Sequence, residues 1–393
     1  MGDGERGGHG EGAKSFFLSR TENLETRNEE RTTSPLLRHV HSRSILCIVY
    51  PNGGERPTDQ MLPLVIMLIL SLGMILLGAE LFTNGIEWFG HRLRVAEGAV
   101  GSVLAAVGTA MPETMVPIIA ILFHRGDTGH QIGIGAILGA PLMLSTLAFF
   151  VTGAAVFGLT AGRSRTTRMT VDPVVMGRDL RTFFLVYGIA LGASFLPGRL
   201  LKASAAVFLV GAYIYYVRQA FRCVTASGME HELGPLHFHR EAEVPRLRIV
   251  VFQVFAALVL IVGGAHLFVT NLSHIAMASG VSAFVLATII TPIATELPEK
   301  FNSVTWIRQR KDTLALGNIT GAMVFQSSIP TALGLLFTAW ILDRQALVTG
   351  GVALAASLFA WAELKWHKRL SPYTLLAGIL FYGVFITYTF YLR

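Results

Sequence analysis

Two short stretches of the sequence set a proline directly before a glutamate inside an apolar segment. GTAMPE covers residues 108–113, and ATELPE covers residues 294–299. Pro112 and Pro298 lack the N–H that would bond to the carbonyl four residues earlier, so each frees a carbonyl, and we expect each to break its helix. In an apolar environment such an irregularity persists only where the freed group finds a polar partner.

The oxygen atoms of these stretches are suited to binding a hard cation. Thr109 and Thr295 supply hydroxyls, and Glu113 and Glu299 supply carboxylates. With the freed carbonyls they form a ligand set for Na⁺ or Ca²⁺ rather than for softer metals. An ionised carboxylate in the middle of a membrane costs roughly 3 kcal/mol, and a divalent cation would neutralise two of them. Without the metal, at least one carboxylate would take up a proton, which couples cation binding to proton release. The alternative is that the prolines only kink the helices and that the glutamates bond to neighbouring helices.

The composition indicates a polytopic membrane protein. Of 393 residues, 52% are hydrophobic and 15% are charged, against about 25% charged in soluble domains, and the mean hydropathy is +0.54. The net charge of +7 lies in short loops, so we interpret it as an orientation signal and expect no nucleic-acid partner. Cys47 and Cys223 indicate neither a disulfide framework nor a metal–thiolate site.

Hydropathy predicts ten membrane spans in an all-α fold. They cover residues 63–89, 95–123, 130–159, 180–197, 203–221, 249–272, 281–307, 313–341, 345–363 and 372–391. Loops after the odd-numbered spans hold 17 Lys and Arg residues, against five in the alternate loops and the C-terminus. The positive-inside rule therefore predicts that both termini lie outside the cytoplasm, in the plasma (bacterial inner) membrane.

Residues 1–60 differ in composition from the rest of the chain. They are rich in Gly, Glu, Arg, Ser and Thr, and we expect them to be disordered. Their eight Lys and Arg residues would have to cross the membrane if both termini lie outside. A biological start near Met61 would avoid this difficulty, so the tail is alternatively an artefact of start-site assignment.

The chain contains an internal repeat. Glu113 and Glu299 are 186 residues apart, and GAELF at Gly78 matches GAHLF at Gly264 with the same offset. Residues 61–222 and 249–393 therefore form two five-span units joined by a cytosolic loop, residues 223–248. Because five is odd, the second unit enters the membrane from the opposite side. The prediction is two inverted five-helix repeats with a central site where the two Pro-Glu pairs face each other.

These motifs resemble those of the cation/calcium exchanger superfamily, which includes the sodium/calcium exchangers. GTAMPE and ATELPE resemble its Gly-Thr-Ser-Leu-Pro-Glu motif, and GAELFTNG, GAILGA and GNITGA resemble its first, third and eighth spans. The resemblance implies antiport by alternating access. It also implies that Glu113 and Glu299 are shared ion ligands, supported by Thr109 and Thr295.

The sequence departs from the family pattern at several ligand positions. The motif serine is Ala110 in the first copy and Glu296 in the second. Ligand positions of the third and eighth spans hold Ala140, Leu144, Ala322 and Gln326. Several oxygens that would bind sodium are missing, which puts the exchange of three sodium ions for one calcium ion in doubt.

Glu296 has two interpretations. As a third carboxylate it would favour a divalent ion and accept a proton, giving exchange of Ca²⁺ or a related cation for H⁺. Alternatively it lies outside the site and pairs with Lys300, at the favourable i, i+4 spacing.

Two weaker features remain open. Glu80 and Glu87 lie on one face of the first span, and His266 is the repeat equivalent of Glu80. They either line an access path or, as we favour, reach interfacial water near a helix end. The histidine-rich stretch 229–241 either binds a metal or senses pH, or, as we favour, is an ordinary solvated loop.

The sequence as a whole predicts a secondary cation antiporter driven by an ion gradient, since no phosphate-binding GxxxxGK[ST] loop occurs. The transported cations (Ca²⁺, Na⁺ or H⁺) are substrates, no cofactor is expected, and the partners are inorganic cations and the lipid bilayer, with a monomer as the functional unit. The predicted ligands are Glu113, Glu299, Thr109, Thr295, Glu296 and Gln326. One alternative is a transport-dead or differently selective relative. Another is an intramembrane acid/base enzyme, disfavoured because the motif lacks a nucleophile–histidine pair.

Overall fold

The structure, a computed structural model, describes residues 57–92, 111–124, 126–162, 165–224, 234–240 and 244–391, without the side chains of 57–60, 221–224 and 297–302. The tail, Thr109 and the side chain of Glu299 therefore lie outside the described part. The prediction of a disordered or artefactual tail stays untested.

The described residues form helices joined by short connections. In chain order these are α1 (Pro57–Arg92), α2 (Met111–Phe123), α3 (Asp127–Met143), a π-helical turn (Leu144–Ala148), α4 (Phe149–Ala161), α5 (Pro173–Gly192), a 3₁₀ turn (Ala193–Phe195), α6 (Arg199–Val224), α7 (Leu247–Ser279), α8 (Ala283–Arg308), α9 (Asp312–Phe337), α10 (Arg344–His367), α11 (Pro372–Leu376) and α12 (Gly378–Tyr391). Within these ranges the β-structure is one isolated bridge, between Leu236 and His239.

The lengths and compositions of the helices confirm a multi-pass membrane protein. Among the described residues, 7 helical segments are long and apolar enough to cross a membrane, and Met111–Phe123 and Ala283–Glu296 are shorter apolar helices. The described helices overlap the predicted spans, the second only over residues 111–123. The count of ten spans and their inverted arrangement stay predictions.

Helices α1 and α7 pack closely along their length, and glycines make this approach possible. A Cβ atom on Gly78 would lie 2.8 Å from Ile261 Cγ1, and one on Gly264 would lie 2.9 Å from Ile75 Cγ1. Gly78 and Gly264, like Ile75 and Ile261, are related by the repeat offset of 186 residues. The contact is thus reciprocal: each glycine faces the repeat equivalent of the residue that faces the other.

The GAILGA stretch of α3 packs against the backbone of α8. A Cβ atom on Gly135 would lie 2.6 Å from the carbonyl oxygen of Phe284, and one on Gly139 would collide with the carbonyl oxygen of Thr288. Pro292 lacks the N–H that would pair with this second carbonyl. The glycines therefore let α3 lie directly against a part of α8 where the backbone hydrogen bonding is interrupted.

The expected helix break in the second motif is wrong. Helix α8 continues through Pro292 and Pro298 and ends only at Arg308. A membrane helix can pass through a proline because close neighbours and small local adjustments compensate the lost hydrogen bond, and α3 packs closely against α8 here. In the first motif, Pro112 is the second residue of α2 as described, and the preceding residues lie outside the described part.

Candidate cation site

Glu113 lies in the apolar interior near the start of α2. Its exposed fraction is 6%, and the nearby Val116 and Pro117 are buried too. Pro117 has no N–H to offer the carbonyl of Glu113, four residues earlier. Glu113 therefore combines a buried carboxylate with a backbone carbonyl that lacks its usual helical partner, and both are hard oxygen donors.

The second motif presents a buried polar face on α8. Thr295 and Glu296 are each only 1% exposed. The Thr295 hydroxyl donates to the carbonyl oxygen of Thr291 over 3.1 Å, so its oxygen lone pairs remain available to a cation. This face packs towards α2 and α9.

Gln326 joins this face from α9. Its Nε2 donates a hydrogen bond to Glu296 Oε1 over 2.9 Å, and Gln326 is 2% exposed. The structure therefore brings two of the predicted site residues into contact across two helices. This contact places Glu296 inside the bundle and supports its interpretation as part of the site. The alternative ion pair involves Lys300, whose side chain lies outside the described part.

A proline also interrupts the backbone at Gln326. Pro330 cannot donate to the Gln326 carbonyl, and the Thr331 hydroxyl donates to it instead over 3.2 Å. The sequence analysis overlooked Pro117 and Pro330, although each lies four residues after a predicted ligand. That spacing was the available signal for a freed carbonyl.

Buried hydroxyls near the predicted ligands were also missed. Thr291 Oγ1 and Ser327 Oγ are fully buried and have no hydrogen-bond partner among the described residues. Thr291 lies one turn before Thr295, and Ser327 follows Gln326. They add neutral oxygens where the family comparison indicated a loss of hydroxyls.

The third span places further hydroxyls in the interior. Leu144 and Ser145 are both completely buried and lie in the π-helical turn that follows Pro141. Such turns accommodate an extra residue and occur frequently at functional sites. The Ser145 hydroxyl donates to the Leu142 carbonyl over 3.2 Å. Leu144 itself is apolar, as the departure from the family pattern indicated.

The structure leaves the opposing half of the site open. In the part of the chain that it describes, no three His, Cys, Asp or Glu side chains converge in a geometry suited to a metal ion. Glu113 and Glu296 are the described carboxylates of the predicted set, while Thr109 and the side chain of Glu299 are not described. That the two Pro-Glu pairs face each other remains a prediction.

The interpretation of the histidine-rich stretch as a solvated loop is wrong for residues 234–240, which we call the docked turn. Leu236 is completely buried and packs with Trp88 and Val250. Trp88 Nε1 donates to the Gly234 carbonyl over 2.8 Å. The apolar Leu236 explains the docking, since it can bury its side chain only against the helices.

The weaker candidates lie at two separate places. Glu80 is exposed, and its Oε1 lies 3.2 Å from His237 Nε2 in the docked turn. The His266 ring lies 4.8 Å from the ring of His124, centroid to centroid. Neither residue contacts the Glu296–Gln326 pair through these interactions.

Comparison with known proteins gives a consistent result. Residues 63–221 and 249–392 match the sequence model of the family described as "Sodium/calcium exchanger protein". The inner membrane protein YrbG of Escherichia coli is 24% identical over 331 residues, covering 82% of this chain and 94% of the other. The sodium/calcium exchanger MaX1 of Methanosarcina acetivorans is 23% identical over 352 residues, covering 83% and 98%. A crystal structure of the H⁺/Ca²⁺ exchanger CAX has a TM-score of 0.60 at 19% identity, covering 85% of this chain and 86% of that one.

Proposed function

The chain belongs to the sodium/calcium exchanger protein family, and we propose that it exchanges Ca²⁺ or a related divalent cation for protons by alternating access. Proteins of this family are ion antiporters of the Na⁺/Ca²⁺ or H⁺/Ca²⁺ type rather than enzymes. The observation that carries the proposal is the buried pair of Glu296 and Gln326 on α8 and α9, next to the helix that carries Glu113. The cation is the transported substrate and not a resident cofactor.

The charge of the site favours a divalent ion. Glu113 and Glu296 are both buried in the apolar interior of the bundle. Ionised carboxylates are unfavourable there unless they are paired or bound to a cation. One divalent cation would balance both charges, and freed carbonyls and buried hydroxyls would complete its oxygen coordination. Glu299 and Thr109 are proposed to join the same site.

The ligand chemistry favours protons as the counter-ion. Four positions where the family carries polar ligands hold Ala110, Ala140, Leu144 and Ala322. Gln326 offers a neutral amide where the family has an acidic residue. Few ligands therefore remain for several sodium ions, whereas Glu296 can take up a proton after the divalent ion leaves. We propose Glu296 as a proton acceptor in exchange.

Sodium/calcium exchange is the second candidate. The buried, unpartnered hydroxyls of Thr291 and Ser327 support it, because neutral hydroxyl oxygens are suitable Na⁺ ligands. They lie next to predicted ligands on α8 and α9.

The reciprocal packing of α1 and α7 supports the inverted-repeat arrangement. Gly78 contacts Ile261 as Gly264 contacts Ile75, which is the relation expected between equivalent helices across a pseudo-two-fold axis. We propose ten spans in two inverted units, 61–222 and 249–393, acting as a monomer. We further propose that both termini lie outside the cytoplasm and that the membrane is the bacterial inner membrane.

Flux in proteoliposomes tests the proposed function. The full chain is reconstituted, and uptake of radioactive Ca²⁺ is measured with an outward proton gradient, an outward Na⁺ gradient or no gradient. Proton-driven uptake that a protonophore abolishes, at constant Na⁺, is the expected result. Uptake driven only by Na⁺ would assign the second candidate, and absence of flux under every gradient and with related divalent ions would contradict the transporter proposal.

A further inference from the structure

A small polar cavity lies where the segment between α4 and α5 meets the turn between α8 and α9. Its volume is about 130 Å³. Three arginines, two threonines and one aspartate line it: Arg165, Thr166, Arg168, Thr170, Arg310 and Asp312. Three positive charges and one negative charge leave the lining with two net positive charges. The cavity is separate from the candidate cation site.

The buried ion pair between Arg165 and Asp312 forms the floor of the cavity. The two side chains meet through parallel hydrogen bonds, Nη1 to Oδ1 over 2.8 Å and Nη2 to Oδ2 over 2.9 Å. Arg165 also donates to the carbonyls of Thr166, Ile307 and Arg168. All five of its N–H groups are thereby occupied. Arg165 is therefore part of the scaffold, and its charge is balanced by Asp312.

The remaining positive charge comes from Arg168 and Arg310, one from each side of the cavity. Both are exposed. Within the residues that the structure describes, Arg168 forms no ion pair with an acidic side chain. An anion in the cavity would lie between these two guanidinium groups.

Arg310 has a backbone conformation that glycine would adopt more easily. Its φ is 62°, at the point where α8 ends. The N–H of Arg310 bonds to the Ile307 carbonyl over 3.1 Å, and that of Lys311 bonds to the Trp306 carbonyl over 2.9 Å. This is the Schellman pattern, in which glycine is the usual residue at the left-handed position. An arginine held there despite the steric penalty indicates that its side chain has a use.

We propose that this cavity binds a phosphate group. Arginine side chains bind phosphate oxygens through paired, charge-assisted hydrogen bonds, and the hydroxyls of Thr166 and Thr170 add rotatable donors. The predicted orientation places the cavity at the cytoplasmic face. Basic pockets there bind the headgroups of anionic lipids, and inorganic phosphate offers the same chemistry from solution.

The test measures the unfolding temperature of the purified full chain with two probes. Inorganic phosphate is titrated in detergent, and phosphatidylglycerol is added to phosphatidylcholine nanodiscs. We expect at least one probe to raise the unfolding temperature. Stabilisation by phosphatidylglycerol alone would assign the lipid headgroup, and stabilisation by inorganic phosphate would assign a free phosphate.

Three variants separate a specific site from a general charge effect. Arg168→Gln and Arg310→Gly should each weaken the apparent affinity for the probe about tenfold. Arg310→Gly also relieves the backbone strain, so this variant should fold. Arg308→Gln removes the same charge from an exposed residue outside the cavity and should keep the wild-type affinity. Absence of stabilisation by both probes, or an equal loss in Arg308→Gln, would overturn the proposal. The measurement does not require transport, so its outcome is independent of the proposed function.

Discussion

Gln326 donates a hydrogen bond to Glu296 over 2.9 Å in the interior of the bundle, where both side chains are almost completely buried. The bond joins α8 to α9, and both helices pack against α2, which carries Glu113. A neutral amide at this position stabilises the carboxylate without adding a second negative charge. The pair therefore restricts the charge of the site while keeping a group that can bind a cation or a proton.

Replacing Glu296 with Gln should change how Ca²⁺ uptake depends on pH. The variant keeps the size of the side chain but cannot accept a proton, so proton-driven uptake should fall at least about tenfold and lose most of its pH dependence. Uptake into proteoliposomes is measured across a pH series. A pH profile identical to that of the wild type would remove the proposed proton-acceptor role.

Glu113→Gln should abolish transport of the divalent ion. The substitution removes one of the two described carboxylates of the site, and we expect a loss of at least about a hundredfold in Ca²⁺ uptake, since the remaining charge no longer balances the ion. Glu363→Gln is the matched control. Glu363 accepts a hydrogen bond from the Ser371 N–H over 2.9 Å, which a Gln side-chain oxygen can also do. Similar losses in both variants would indicate a folding defect instead.

Gln253 holds the docked turn to two helices. It is completely buried, donates to Leu81 O and Asn84 Oδ1 over 2.9 Å each, and accepts from Phe238 N over 2.9 Å. Gln253→Ala would leave buried partners unsatisfied, which should lower the free energy of unfolding by about 2–4 kcal/mol.

Thermal unfolding in detergent and protease cleavage between residues 223 and 248 measure this effect. Gln219→Ala is the control, because Gln219 makes one exposed hydrogen bond, to Tyr215 over 2.9 Å. It should change stability by no more than about 0.5 kcal/mol. Equal unfolding temperatures for Gln253→Ala and the wild type would mean that the turn contributes nothing to stability.

The buried Arg165–Asp312 pair should be more sensitive to removal of one partner than to removal of both. Asp312→Asn leaves Arg165 buried without a counter-charge and should cost about 3–5 kcal/mol of stability. The double variant Arg165→Met with Asp312→Leu removes both charges and should recover much of this loss. Thermal unfolding of the two single variants and the double variant gives the coupling energy. Simple additivity of the single losses would contradict the expected interaction.

Much of the helical architecture was predictable because apolar composition and length decide which segments enter a membrane. The repeat offset likewise identified Gly78 and Gly264, whose small size is used in the α1–α7 contact. The position of a side chain relative to another helix is different, because it depends on packing. Composition alone therefore did not reveal the Glu296–Gln326 contact.

The errors have local physical causes. Helix α8 continues through Pro298 because membrane packing can compensate a lost hydrogen bond, whereas propensity alone indicates a break. The docked turn was judged solvated from its charged and histidine residues. One buried leucine, Leu236, outweighs them by docking into the space between α1 and α7.

His124 should make the protein sensitive to acid. It follows α2 and contacts α7: its Nε2 lies 2.9 Å from Thr270 Oγ1, and its ring lies 4.8 Å from that of His266. Burial, with further contributions from His266 and His274, lowers the pKa of His124 below its ordinary value of 6.5. Just below pH 6.5 the unfolded chain therefore binds more protons at this position than the folded chain. Stability is complete above that pH and decreases as the pH falls through it.

The measurement compares unfolding temperatures at about pH 7.5 and about pH 5.5, on either side of the ordinary histidine range. The wild type should unfold at a lower temperature at the acidic pH. His124→Gln keeps a side-chain group that can bond to Thr270 but does not titrate, so its decrease should be smaller. His367→Gln, which changes an exposed histidine at the end of α10, should behave like the wild type. An equal decrease in His124→Gln and the wild type would show that acid acts on other groups, because the protonation of His124 would then not contribute to the loss.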